Sequence, residues 1–465
     1  MFAFFVNFRL TMKNIILAIG LLFFVSTITL TGGKDIFWNS IALGGLMIYF
    51  WVFEVIPIYI TALFPLIFAI PLGVLEKSDL ATSYGDSNVY LFFGGFLLAL
   101  GLEKWNVHQQ IAKGILKVVG NSKPRILLGF LFSTGLLSMW ISNTATALMM
   151  LPMAMAIIEA LPAHQRKGKF AIFLLLSVAY AASIGGVGTL IGSPPNVQMA
   201  STLESTFGVK VDFLDWMKIG LPLSITMLLC TYLFFYIAMG KERKEEHADL
   251  KLSELGWNKD QRIVLFVFLG VIILWSFKDL IVDWTGINYR DENAAILGGI
   301  LLFLIPSSHE KKKMLDWKDT EKLPWGILLL FGGGLALAQI FEKNGVMAQL
   351  SKLFSSMHDY SFVLILIAVI VIAVFASEVL SNLAMVSIFV PLVATFALDH
   401  GVPIEKLAIP LTLGASLAFM LPVGTPPNAI VFSSGYLKVK QMVMYGLVLN
   451  VIGIILITLF SILFL

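Results

Sequence analysis

Apolar residues come in long runs separated by short polar loops, and most runs approach the ~20 residues needed to cross a bilayer as helix. They predict spans over 14–31, 36–54, 55–74, 88–102, 170–203, 213–239, 263–277, 293–306, 324–341, 407–434 and 442–465. Two further segments, 125–161 and 361–398, are about twice the length of a single span and carry a polar interruption near the middle. The first reads SNTATALMMLP from Ser142 to Pro152, the second SNLAMVSIFVP from Ser381 to Pro391. Ser and Asn disfavour helix interiors because their side chains compete for nearby backbone groups. Twice in mid-segment, they mark a place where the helix stops.

The flanking charges say how these double segments lie. Lys113, Lys117, Lys123 and Arg125 precede the first, and Arg166, Lys167 and Lys169 follow it. Positive residues favour the cytoplasm, so both ends sit on that side and the segment is a re-entrant hairpin with Ser142-Asn143 at its tip. The second has Asp359 before it and Asp399, Glu405 and a lone Lys406 after it, so it enters from outside with Ser381-Asn382 at its tip. The same orientation puts most of the 32 Lys and Arg in inside loops, with a cytoplasmic N-terminus. The run from Asn14 to Leu30 follows basic Arg9 and Lys13 but lacks a small-x-small cleavage pattern, so it reads as an uncleaved first helix. Glu54, Glu159 and Glu378 are carboxylates placed inside the spans, and all six histidines are expected in loops.

Internal similarity divides the chain. The Ser-Asn motifs are 239 residues apart, GSPPN at Gly192–Asn196 echoes GTPPN at Gly424–Asn428, and FFGGFLLAL at Phe92–Leu100 resembles LFGGGLALA at Leu330–Ala338. A near-constant offset marks a duplication. Each copy holds five spans, an odd number, so the second is inverted. The expected fold is an all-α polytopic membrane protein of eleven transmembrane helices and two re-entrant hairpins in two inverted-topology repeats. Its parts are an N-terminal helix (1–35), repeat 1 (36–239), a cytoplasmic linker (240–262) and repeat 2 (263–465).

The four motifs suggest a chemistry. Pro194-Pro195 and Pro426-Pro427 break their helices by removing donors, and Gly192 and Gly424 permit unusual backbone angles. Carbonyls freed there, with Asn and Ser oxygens, form an uncharged oxygen-rich cluster suited to a hard cation. Helix starts just beyond point N–H groups and positive dipole ends at whatever lies between them, as an anion requires. No Lys or Arg occurs in the motif segments, so an anion there needs a co-bound cation. At an effective dielectric of ~20 and ~5 Å, each such pair is worth about 3 kcal/mol. Against this stands the plainer reading that isolated Ser and Asn join membrane helices and that proline pairs kink them. The Gly-Gly pairs are assigned to helix packing, and Glu378 is open between a site role and bracing the hairpin backbone.

Composition narrows the alternatives. With 465 residues, 58% hydrophobic and only 13% charged, the chain is not a soluble globular protein. The single Cys230 excludes an intramolecular disulfide and a cysteine metal cluster. There is no HExxH, no membrane-placed His and no phosphate-binding loop, which argues against an enzyme. An anion channel is a third class, disfavoured by opposed hairpins that close from both faces.

The motifs SNTATALMMLP, GTLIGSPPN, SNLAMVSIFVP and LPVGTPPNAIVF, in this order across nearly the whole chain, resemble the divalent anion:sodium symporter family, carriers of di- and tricarboxylates and in some branches sulfate. The resemblance implies a homodimer in a bilayer, an elevator with scaffold segments near 14–105 and 263–341, and a transport domain near 121–239 and 361–465. It implies Na+ as coupling ion, held at one site by Ser142, Asn143 and the Gly192 backbone with Ser138. A second site would use Asn382 and the Gly424 backbone, with Ser377 and the Leu380 carbonyl. Substrate carboxylates would meet Asn143, Thr144 and Ser193 on one side and Ser381, Asn382, Thr425 and Pro426 on the other. Leu383 stands where many members have threonine, which leaves the anion open; a C4-dicarboxylate such as succinate is favoured, with a sulfate or tricarboxylate carrier or a sodium-independent exchanger as alternatives. The short termini and lack of a transit peptide point to a bacterial inner membrane.

Overall fold

The computed structural model describes residues 2–120, 122–244, 256–308, 312–354 and 361–465. Every regular element among them is helical apart from an isolated bridge between Pro306 and Lys313. Among the described residues, nine helices are long and apolar enough to cross a bilayer, or ten if Lys259–Ser276 and Lys278–Thr285, bent by 79°, form one span. Two of the nine, Asn143–Ala160 and Asn382–Asp399, begin at the Ser-Asn motifs.

The count differs from eleven single spans for local reasons. Residues 55–74 hold only the short helices Ile58–Thr61 and Phe64–Phe68, entered through Pro57 and Pro65. The predicted 293–306 span is the 14-residue helix Asp291–Leu304. The 170–203 run is a helix, Lys169–Val187, a break, and a second helix from Pro194 to Phe207. The 407–434 run divides likewise into Glu405–Ala415 and Pro426–Ser433. In both, proline occupies the first helical turn, where a missing N–H costs nothing. The double segments are interrupted after Ser138 and after Ala376, while Pro152 and Pro391 stay inside continuous helices.

Two helices occupy stretches read as loops. Val107–Val119 and Val346–Phe354 are amphipathic and immediately precede the two interrupted segments. The first is entered through Asn106 at φ 54° and left through Gly120 at φ 94°; the second is entered through Gly345 at φ 79°. His108 is therefore helical and buried, and His400 stacks on Phe396 at the end of Asn382–Asp399. His247, His309, His358 and residues 245–255 of the expected linker lie outside the described residues.

Packing organises the halves in matching ways. Helix Lys169–Val187 is wholly buried and takes both arms of the first interrupted segment, Lys123–Ser138 and Asn143–Ala160, against its sides. Helix Glu405–Ala415 does the same for Phe362–Ala376 and Asn382–Asp399. The halves then exchange partners. Pro194–Phe207 packs on Asn382–Asp399, and Pro426–Ser433 packs on Asn143–Ala160.

Candidate functional site

The first Ser-Asn motif begins a helix. Ser142 is its N-cap, with Oγ accepting from Ala145 N at 3.3 Å, and Asn143 is the first helical residue. The Asn143 side-chain amide lies 2.8 Å from Ser138 Oγ, 3.1 Å from the Ala182 carbonyl and 3.3 Å from the Gly192 carbonyl. With its nitrogen toward them it donates to all three. Turned over, its oxygen joins a hydroxyl and two carbonyls. In that orientation the Ser138 hydroxyl donates to Oδ1, while the two carbonyls face it with no proton between them, an all-oxygen set that a hard cation among them would satisfy. Gly186 makes the approach possible, since a Cβ there would stand 2.5 Å from Asn143 Oδ1.

The neighbouring break, residues 188–193, is tied down from both sides. Thr189 Oγ1 donates to the Met139 carbonyl, and Asn196 Nδ2 donates to the carbonyls of Gly186 and Thr189 at 2.9 Å each. The second half repeats the clamp at the same spacing: Asn428 Nδ2 donates to the carbonyls of Ala418 and Leu421 at 3.0 Å each. Both asparagines are fully buried, and the Oδ1 of each has no partner.

What differs is Glu378. Its Oε1 accepts from Phe419 N, Met420 N and Asn450 Nδ2, all at 2.8 Å, and its Oε2 accepts from Leu421 N at 2.9 Å. The carboxylate thus satisfies three backbone donors of the 416–425 break. The bracing role is the one the geometry displays, and it acts on the broken helix opposite rather than on the backbone of its own segment.

Over residues 10–465 the chain matches the family described as the sodium:sulfate symporter transmembrane region. The chain belongs to this symporter family. Among its relatives, the sodium-dependent dicarboxylate transporter SdcS of Staphylococcus saprophyticus is 37% identical over 95% of this chain and 89% of its own length. SdcS of Staphylococcus aureus strain USA300 is 36% identical with the same coverage. In fold, the chain resembles the YdaH transporter of Alcanivorax borkumensis at a TM-score of 0.60 and 14% identity, covering 85% of this chain and 89% of that one. MtrF of Neisseria gonorrhoeae gives 0.57 at 11% identity, with 83% of each covered. The protein is an integral membrane transporter and not an enzyme.

Within this transporter the sequence-derived residues fall into three groups. Ser138, Asn143 and Gly192 converge as described, with Ser142 at the same helix start and Thr144 half-buried beside it. Ser193 and Thr425 are buried N-caps of the two post-break helices, Thr425 Oγ1 accepting from Asn428 N at 3.3 Å, and Pro426 is exposed. In the second motif Ser381 caps its helix without a side-chain bond, and Asn382 Oδ1 is buried with no partner. Ser377 is buried, but its hydroxyl donates locally to the Val374 carbonyl at 2.9 Å, and Leu380 donates its N–H to Ala376. Gly424 adjoins Glu378, a Cβ there standing 3.0 Å from Oε2. Leu383 is 6% exposed and belongs to the apolar core, unlike its half-buried counterpart Thr144.

Sequence reasoning missed the Ala182 carbonyl, Gly186, Thr189 and Asn450. A backbone carbonyl leaves no trace in residue identity. Asn450 did leave one: an amide flanked by apolar residues midway along the final helix, Val439–Phe464.

Proposed function

We propose that this protein couples Na+ to the uptake of a small dianion, most simply a C4-dicarboxylate such as succinate. The observation that carries the reading is the set of four oxygens at Asn143, beside helix starts in segments free of Lys and Arg. Such a cluster takes a cation, the helix starts take an anion, and neither is complete without the other. The sodium-dependent dicarboxylate carriers at 36–37% identity support both the ion and the substrate class.

In this reading the first Na+ meets Ser138, Ser142, Asn143 and the carbonyls of Ala182 and Gly192. The second meets Asn382, the Gly424 backbone, Ser377 and the Leu380 carbonyl. The anion lies between Asn143, Thr144 and Ser193 on one side and Ser381, Asn382, Thr425 and Pro426 on the other, with Leu383 shaping the substrate range. The exchange of helices between halves supports treating 121–239 and 361–465 as one transport body that slides, as an elevator, past a scaffold of 14–105 and 263–341. The interrupted segments act as opposed re-entrant hairpins in two inverted repeats, the N-terminus is cytoplasmic, and the scaffold holds a homodimer in a bacterial plasma membrane.

The test is uptake of radiolabelled succinate by purified protein in liposomes, with and without an inward Na+ gradient. Accumulation that follows the gradient and disappears when Na+ is removed supports symport. Transport indifferent to Na+, with counterflow in sodium-free buffer, makes the protein an exchanger instead.

A further inference from the structure

We propose that ion pairs around residues 204–213 and 278–292 form a latch that holds the transport body against the scaffold in the conformation described. The inference rests on the two-body reading above.

Glu204, near the end of Pro194–Phe207, pairs with Arg290 of the scaffold segment. Its Oε2 also accepts from Asn88 Nδ2 at 3.1 Å, at the start of helix Ser87–Lys104. Asp212, just ahead of helix Phe213–Met239, lies 3.5 Å from Lys278, which is itself 3.1 Å from Asp291. Asp291 Oδ2 in turn accepts from Phe213 N at 2.9 Å. Both ends of the loop joining two transport-body helices are thus pinned to scaffold residues. Burial works against ionisation of Asp212, but Lys210 and Lys278 outweigh it and hold its carboxyl below the usual range.

Asp86 also reaches Ser201 across the same boundary, whereas two further ion pairs stay within one body. Lys104–Asp319 at 2.7 Å and Lys343–Asp79 at 2.5 Å each join scaffold to scaffold. Glu242, at the start of the linker, accepts from the N–H groups of Lys169 and Phe170 of the transport body. The crossing pairs are also reversible in kind. The side chains of Arg290 and Glu204 are 46% and 27% exposed, so water can solvate them once parted.

Gly95 and Ile191 supply the reporter. A Cβ on Gly95 would lie 3.8 Å from Ile191 Cβ, the spacing typical of a disulfide, and it spans scaffold to transport body. Cys230 is the chain's single cysteine, so Cys230→Ser gives a clean background. Full-length Gly95→Cys/Ile191→Cys protein is reconstituted with Na+ and succinate, so that both arrangements are populated, and its rate of oxidative cross-linking is read.

Glu204→Gln and Arg290→Gln should each slow cross-linking about twofold, and the double variant should be no slower than either. Lys343→Gln should leave the rate unchanged. An unaltered rate in the single variants, or a double variant slower by about the product of the two effects, overturns the latch. If the rate in the unlatched and latched proteins alike ignores Na+ and succinate, it is the two-body reading that fails.

Discussion

The break at 188–193 and the longer one at 416–425 face the same difficulty, unpaired backbone groups inside a membrane protein, and meet it with different side chains. In both halves an asparagine after the proline pair donates to the carbonyls seven and ten residues back, Asn196 in one and Asn428 in the other. In both, the residue three before the Ser-Asn serine faces the break. In the first half that residue is Met139, whose main-chain carbonyl accepts from Thr189. In the second it is Glu378, whose carboxylate takes three N–H groups and the Asn450 amide. Placement survived the duplication while chemistry diverged: the Met139 carbonyl takes one side-chain hydroxyl, and the Glu378 carboxylate takes three main-chain donors of the longer break.

The largest expected effect breaks this comparison outright. Glu378→Ala strands three buried N–H groups and should cost at least about 3 kcal/mol, seen as a lower unfolding temperature in detergent. Glu378→Gln, which keeps part of the acceptor capacity, should fall between Ala and the natural residue. Equal melting of all three would remove Glu378 as a brace. Next comes Asn143→Ala, which deletes one arm of the oxygen cluster. A lost contact to a charged ligand is worth about 1.5–3 kcal/mol, so half-saturation by Na+ should rise at least about tenfold. Unchanged sodium dependence of uptake would move the cation elsewhere.

Two smaller effects sharpen the comparison. Asn196→Ala and Asn428→Ala each lose two neutral hydrogen bonds and should destabilise by about 1–2 kcal/mol, to similar extents. Thermal unfolding that spares one but not the other would show that the clamps are not equivalent. Leu383→Thr restores the hydroxyl found in the first motif. It should alter the order of preference among succinate, larger carboxylates and sulfate in competition uptake while leaving half-saturation by Na+ within about twofold. No change in that order would mean that Leu383, buried in the apolar core, does not face the anion.

The repeats, the helix breaks and the interrupted segments were legible because their causes are local. Proline removes donors, Ser-Asn caps helices, and apolar length is counted directly. The short helices at 58–68 and the amphipathic pair at 107–119 and 346–354 were not, since a window tuned to bilayer length reads them as a poor span and as loops. Of the groups that gather around the Asn143 amide, Ser138 and Gly192 were singled out by residue type. The Ala182 carbonyl and the exchange of helices between halves were not, because both depend on which distant backbone comes near. Glu378 was visible as an intramembrane charge, yet its task was decided by the unwound chain opposite it.

The amphipathic helices bear on how the proposed scaffold and transport body would be joined. Val107–Val119 is rigid along its length but carries a left-handed residue at each end, and Gly345 repeats the entry joint one duplication away from Asn106. A stiff rod between swivels fixes a distance while leaving an angle free. Under the proposed elevator, Val107–Val119 would set how far the first interrupted segment can travel from helix Ser87–Lys104, so a surface helix, and not the pocket, would limit the stroke.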